Sequence, residues 1–312
     1  MAVVEVTLDS ESLVRVKTSA LVHRMPAAVF SIAGSGALQC LQGLITNDLN
    51  KAEDGSLVYG ALLTPKGLII LDCWVIRQHT TRFLFICDLD ARATAADLFK
   101  KQLPPRLARV TDLTGEWQVY RVLGGGSAVP QADIDGVIVA AARVAPFTAL
   151  VAGTADPVAH VLKLLAITGS RTATDDEWQA ARILAGWPQR GAEIDEKTLV
   201  QEVRFDENNG VSYEKGCYTG QETVARLHFR GHTNRDLRGL VWTGSPVIQS
   251  EANDRPSDMK IFLAEKEVGS VRSILTLPTG RFALALIRRE VETGQVVTAG
   301  GLPATVIGLS LP

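Results

Sequence analysis

Apolar and polar positions recur along this chain with two periods, one helical and one extended. Between 35 and 50, Leu38, Leu41, Leu44 and Ile45 stand at helical spacing, and Asn47-Asp48 predicts a stop. Residues 57–76 read as a hairpin. LVYGALL runs to Thr64-Pro65-Lys66-Gly67, then LIILDCWVI returns. Proline second and glycine fourth in the turn fit type I geometry. RFLFICD at 82–88 predicts a buried strand. The helix ARATAADLFKKQL follows, with Asp88 or Asp90 as its cap and Pro104-Pro105 as its end. ARVTDL and EWQVYRVL predict strands around Thr114-Gly115.

Further on, DPVAHVLKLLAIT at 156–168 predicts a helix. The next helix is better marked, because Thr174 and Glu177 form a capping box, Gly186 can close it and Pro188 follows. Residues 189–219 are loop-rich, and a short helix carrying QETVARLHF starts near Thr219-Gly220. From about 236 the chain becomes short strands: LRGLVWTG, KIFLAEKEVGSVRSILTL, RFALALIRRE, QVVTAG and ATVIGL. NDRPSD lies among them as a hairpin loop. This reads as an α+β body over 1–235 followed by a small β-barrel or sandwich over 236–312.

Composition narrows the function classes. The 312 residues are 46% apolar and 21% charged, which excludes a mostly disordered chain, a coiled coil and a collagen-like fibre. A net charge of −2 gives no global field for nucleic acid, so any RNA contact must come from a local patch. Four cysteines at 40, 73, 87 and 217, with no CxxC, exclude a disulfide scaffold and a zinc ribbon. No signal-peptide pattern and no spanning apolar run occur, so the expected location is cytoplasmic, without membrane. Gly124-Gly125-Gly126 lacks the GxGxxG spacing and reads as a plain loop.

Three features carry candidate chemistry. The first is Lys215-Gly216-Cys217-Tyr218-Thr219-Gly220-Gln221-Glu222. A cysteine just before a helix, with a lysine two residues away, favours thiolate, and flanking glycines allow close approach. The second is Arg226–Arg238, four arginines and one aspartate in thirteen residues. It could hold a phosphate or a carboxylate tail, or it could be a solvated face. His228 and His232 are four apart, as helical metal ligands would be, but Gly231 interrupts and no third ligand is evident. The third is Asp72, which strand alternation puts on one face with Ile70 and Trp74. A carboxylate there needs a partner or a ligand: an amine-bearing heterocycle, or an arginine at the strand end.

KGCYTGQETVAR at 215–226 resembles the signature of the YgfZ group of folate-binding proteins, relatives of the aminomethyltransferase T protein of glycine cleavage. Leu41-Gln-Gly-Leu-Ile-Thr-Asn-Asp48 is similar to that family's LQGQxTND stretch, with Leu44 where glutamine is common. Ala61-Leu-Leu-Thr-Pro-Lys-Gly67, leading to Asp72, is similar to its TPxGR…D hairpin, with Leu68 in place of the arginine. Val268-Gly-Ser-Val-Arg-Ser273 and Ala283-Leu-Ala-Leu-Ile-Arg-Arg289 resemble its C-terminal strands.

The resemblance implies a folate-binding body with a ferredoxin-like part, a C-terminal β-barrel, and tetrahydrofolate or a derivative in a central channel. Carried over residue by residue, Asp72 matches the acidic residue at the folate's reactive end. Glu202 matches a glutamate partner of the pterin, although the family's proline is replaced here by Val200-Gln201. Arg182 matches the R…GxP segment. Lys215, Gln221 and Arg226 fall in the signature with Cys217. The implied role is an accessory protein for assembly or repair of iron–sulfur clusters, acting on client or assembly proteins and supporting tRNA modification indirectly. Cys217 would then be a redox thiol, a transient cluster ligand or a one-carbon acceptor. A stable cluster usually needs four thiolates, so any cluster would be shared with a partner. The alternatives are a one-carbon transferase acting on a small amine, with Asp72 and folate, and an RNA-binding module using the arginine patch.

Overall fold

A computed structural model describes residues 3–124, 134–242 and 259–309. In chain order the elements are β1 (Val4–Thr7), α1 (Ser10–Thr18), β2 (Leu21–Met25), β3 (Ala27–Ala33), α2 (Ala37–Gln42), β4 (Leu57–Leu63), β5 (Ile69–His79), β6 (Arg82–Asp88), α3 (Arg92–Gln102), β7 (Arg109–Asp112), β8 (Gln118–Leu123), β9 (Val137–Val144), β10 (Phe147–Gly153), α4 (Ala155–Ile167) and β11 (Arg171–Thr172). Then follow α5 (Asp175–Leu184), α6 (Gln221–Arg230), β12 (Arg235–Trp242), β13 (Lys260–Leu263), β14 (Lys266–Leu277), β15 (Gly280–Arg288), β16 (Val296–Ala299) and β17 (Leu302–Ile307). NDRPSD and Gly125-Gly126 lie outside the described residues.

The chain forms two units. One comprises Ser19–Ala173 and Phe205–Ala225; the other takes the described residues up to Thr18, Thr174–Arg204 and those from Arg226 on. The first is a two-sheet unit. Its sheets run β11-β2-β8-β10-β9 and β4-β5-β6-β3-β7. In the second sheet β3, β5, β6 and β7 are joined through α2 and α3 and stand in the antiparallel order of a ferredoxin-like βαββαβ, with β4 added at the edge. Its core lies where Ala37 and Leu41 of α2 and Ala95 and Phe99 of α3 cover Phe30, Leu71, Val75 and Phe85. Phe99 stands edge-on to Phe30 and Phe85, with centroids 5.4 and 4.9 Å away. The other sheet buries Val122 and Val151 against Val158, Val161 and Leu165 of α4.

The second unit is a barrel unit. Strands β14-β13-β16-β17-β12-β15 close through a β14–β15 pairing, and β1 adds in parallel outside β14. Leu240, Ile261, Val271, Ala285, Val297 and Val306 fill it. Closure removes the unpaired edges that an open β unit of this size would present.

Local signals explain most element ends. Gly67 N–H bonds the Thr64 carbonyl at 2.9 Å, which closes the hairpin turn. The Thr174–Glu177 capping box forms in both directions, and Gly186 leaves α5 at φ +66. One expectation is corrected: neither Asp88 nor Asp90 caps α3. A 3-10 turn over Leu89–Ala91 leads straight into the helix, so its first N–H groups need no carboxylate there. Leu103 is extended because Pro104 follows it.

Candidate functional site

The β4–β5 register sets Tyr59 opposite Trp74 and Ala61 opposite Asp72. Leu71, Cys73 and Val75 enter the core, so Asp72 and Trp74 take the other face, as alternation requires. Asp72 is half-buried, and its Oδ2 accepts the Tyr59 hydroxyl at 3.1 Å. The Tyr59 ring stands between Trp74 and Phe205, with centroids 4.8 and 5.0 Å away. Burial, reinforced by the Asp72 charge, pushes the Tyr59 hydroxyl well above its ordinary pKa and keeps it a donor. Trp74 in turn meets the edge of Phe147 on β10.

The loop after α2 ties this hairpin to residues 205–220. Asn47 Nδ2 donates to the carbonyls of Tyr59 (2.9 Å) and Asn209 (2.6 Å). Thr46 Oγ1 donates to the Gly210 carbonyl, and Ser212 N–H to that of Thr46. Lys215 is buried, and its Nζ donates to the carbonyls of Gln42, Ile45 and Asn47 at 2.8, 2.6 and 2.7 Å. Desolvation pulls its pKa down to about 8, with the Asp48 charge opposing. Cys217 is exposed, and three residues separate it from Gln221, the first residue of α6. The remaining cysteines are also free thiols, Cys73 and Cys87 buried and Cys40 half-buried.

Glycine lets the start of α6 sit on the hairpin turn. A Cβ on Gly220, at φ +84, would lie 2.6 Å from the Thr64 carbonyl oxygen. One on Gly67, at φ +82, would lie 2.8 Å from Thr223. Residues 41–48, 61–72 and 215–223 therefore converge in the two-sheet unit, and they bring Asp72, Lys215, Cys217 and half-buried Gln221 into it.

The remaining candidates belong to the barrel unit. Arg182 is fully enclosed: it donates to Glu193 (3.0 Å), Ser273 (2.9 Å), Gln179 (2.6 Å) and the Trp187 carbonyl (3.4 Å). Ser273 donates onward to Glu193. The guanidinium thus has internal partners and no open face. Glu202 is buried and held by Arg235, with Nε to Oε1 at 2.8 Å and Nη2 to Oε2 at 3.3 Å. Arg226 is exposed. The basic run is therefore less available than its spacing suggests. Arg235 grips Glu202, and Arg238 donates to the Val291 carbonyl, which leaves Arg226 and Arg230 exposed. Among the described residues no three His, Cys, Asp or Glu side chains gather as a metal site. Among them too, no helix is long and apolar enough to cross a membrane.

Three members of these clusters have roles that the sequence did not assign them. Tyr59 was legible as the residue facing Trp74 across a two-strand turn. Asn47 and Arg235 had no local signal, because their partners are more than ten or thirty residues away.

The comparisons with known proteins bear on the fold. The GCVT N-terminal domain model matches residues 9–148. The tRNA-modifying protein YgfZ of Colwellia psychrerythraea is 25% identical over 95% of this chain and 96% of its own length. This chain is similar to the YgfZ proteins. The YgfZ of Cronobacter sakazakii is 34% identical over 38% of this chain, an alignment spanning only 35% of that protein. A mitochondrial iron–sulfur cluster assembly factor homologue of Mycosarcoma maydis is 24% identical over 74% of this chain and 59% of its own length. Among solved structures, the glycine cleavage system aminomethyltransferase T of Bartonella henselae superposes over 97% of this chain and 88% of its own. Its TM-score is 0.78 at 16% identity, so the two share a fold.

Proposed function

We propose that this chain is a cytoplasmic folate-binding accessory protein for assembly or repair of iron–sulfur clusters, which supports tRNA modification through its client proteins. The observation that carries the reading is the convergence of the 41–48, 61–72 and 215–223 segments, which carry Asp72 and Cys217. The names of the Colwellia and Mycosarcoma relatives supply the two biological settings.

The residues fit a reduced folate. Asp72 is a half-buried carboxylate beside an aromatic cluster, and such a group accepts from the donor-rich edge of a flat heterocycle. When bound, the folate supplies a one-carbon carrier or its redox chemistry. The chain's own contribution is to orient it: Asp72, steadied by Tyr59, would hold the pterin. Lys215 and Gln221 support the signature loop. Arg182 is left out of the contact set because its donors are internal. Cys217 is the thiol offered to the client.

Calorimetric titration of tetrahydrofolate into wild type, Asp72→Asn and Cys217→Ala tests this. The expected result is weaker binding in Asp72→Asn and unchanged binding in Cys217→Ala, with Cys217→Ala failing to restore a strain that lacks the protein. Absence of binding to wild type removes the folate. Full restoration by Cys217→Ala removes the thiol role.

A further inference from the structure

Within the signature, exposure changes sharply from residue to residue. Lys215 and Tyr218 are buried, whereas Gly216 and Cys217 between them are exposed. These two residues form a short arch with an anchor at each foot. At one foot the Lys215 ammonium meets three carbonyls that lie at and beyond the end of α2. At the other, Thr219 N–H bonds the Gly43 carbonyl at 3.1 Å and Gly220 lies against Thr64. The ammonium also stands 4.9 Å from the centroid of the Tyr218 ring, which draws the feet together.

We propose that Lys215 is the positioning residue of Cys217, holding the arch that presents the thiol through its grip on the carbonyls of Gln42, Ile45 and Asn47. The chemistry requires lysine. One nitrogen with three tetrahedral donors can answer three converging oxygens, whereas the planar guanidinium of arginine spreads its donors over separate nitrogens. Methionine, of similar length, would leave three carbonyls without a donor. The charge near Lys215 comes from Asp48, whose carboxylate accepts from Gln42, and from the exposed Lys51–Glu214 pair beside it.

The test places a nitroxide on Cys217 in a Cys40→Ala background, with Cys73 and Cys87 protected by burial. Its spectrum and the amide exchange of residues 216–219 are compared in wild type, Lys215→Met, Lys215→Arg and Lys215→Gln. The label is expected to be immobilised in wild type and released in the Met and Arg variants. The local amides in those variants should exchange about tenfold faster or more, while amides of β4 and β5 keep their protection. Lys215→Gln keeps two donors, falls between, and serves if Lys215→Met does not fold. A label equally restrained in wild type and the Arg and Gln variants, or already mobile in wild type, overturns the proposal. A second arm rests on the proposed role of Cys217. Lys215→Arg should lower restoration of the deficient strain, with no added loss when combined with Cys217→Ala. Additive losses overturn positioning, whereas full activity of Cys217→Ala alone overturns the functional reading and leaves the spectroscopic arm standing.

Discussion

Arg182 and Lys215 are buried cations, one in each unit, and the two are satisfied in opposite ways. In the barrel unit Arg182 faces a carboxylate, a hydroxyl and an amide, with Glu193 itself fully enclosed. In the two-sheet unit Lys215 faces only carbonyl dipoles and a tyrosine ring, with no carboxylate bonded to it among the described contacts. The first arrangement is a neutral pair, fixed in charge because the guanidinium does not titrate. The second leaves net charge in a desolvated place, and its proton is correspondingly easier to lose. A pair of that kind staples α5 to β14 inside a core. A lone ammonium on dipoles fastens a loop.

The largest expected effect breaks the first arrangement. Glu193→Ala leaves a buried guanidinium without its counter-charge and Ser273 without its acceptor. We expect a loss of about 3–5 kcal/mol in denaturant unfolding, and a smaller loss for Arg182→Met combined with Glu193→Leu, because removing both charges removes the desolvation cost as well. A double variant as unstable as the single one would show that packing volume, and not charge, is what the site supplies.

The second arrangement is read by pH. Lys215 titrates at about 8 when folded, against an ordinary 10.5 when unfolded. Between those values the unfolded chain binds more protons than the folded one, so Lys215 makes stability rise with pH in that window. Its slope approaches about 1.4 kcal/mol per pH unit and vanishes below 8. Buried Cys73 and Tyr59 act the other way at higher pH, because burial pushes both pKa values up and the unfolded groups ionise first. The difference between wild type and Lys215→Met isolates the lysine. Unfolding curves at pH 7.5 to about 9.5 that run parallel for the two proteins would sink the assignment.

A smaller effect concerns Asp72. Tyr59→Phe removes one donor to its Oδ2 while keeping the ring between Trp74 and Phe205. The expected loss is about 1 kcal/mol of stability, with a matching drop in tetrahydrofolate affinity by calorimetry. Unchanged affinity would mean that Asp72 needs no steadying.

How much of this was legible depended on the range of the interaction. The 57–76 hairpin was readable because Thr64–Gly67 and the alternation around Asp72 act locally. The capping box at Thr174 was readable for the same reason. The short strands after 236 announced a small barrel or sandwich, but nothing announced β1 pairing with β14, since nothing in VEVT marks a partner some 270 residues away. Lys215 was legible as a notable lysine but not as a cage, because its three acceptors are backbone atoms about 170 residues distant. Arg182 and Arg235 show the same limit: sequence displays a charge and conceals the carboxylate that absorbs it.

The last contrast needs only neighbouring residues. Glu214 stands immediately before Lys215 and is ion-paired with Lys51 at 2.6 Å, as short as any of the Lys215 bonds. Both partners of that pair are exposed, at 65% and 80% of their side chains. Water screens the attraction, and two long side chains must be ordered to form it. Each does shift the other, since Lys51 holds the Glu214 carboxyl below its ordinary range and Glu214 raises the Lys51 ammonium. By sign, the Glu214 part is present at neutral pH and fades as pH falls through its lowered pKa. Solvation makes that part too small to see. Glu214→Gln is therefore expected to leave the urea midpoint unchanged at low and at high salt, while Lys215→Met lowers it in both. A midpoint loss for Glu214→Gln that matched Lys215→Met would mean that bond length, and not burial, governs how the signature is held.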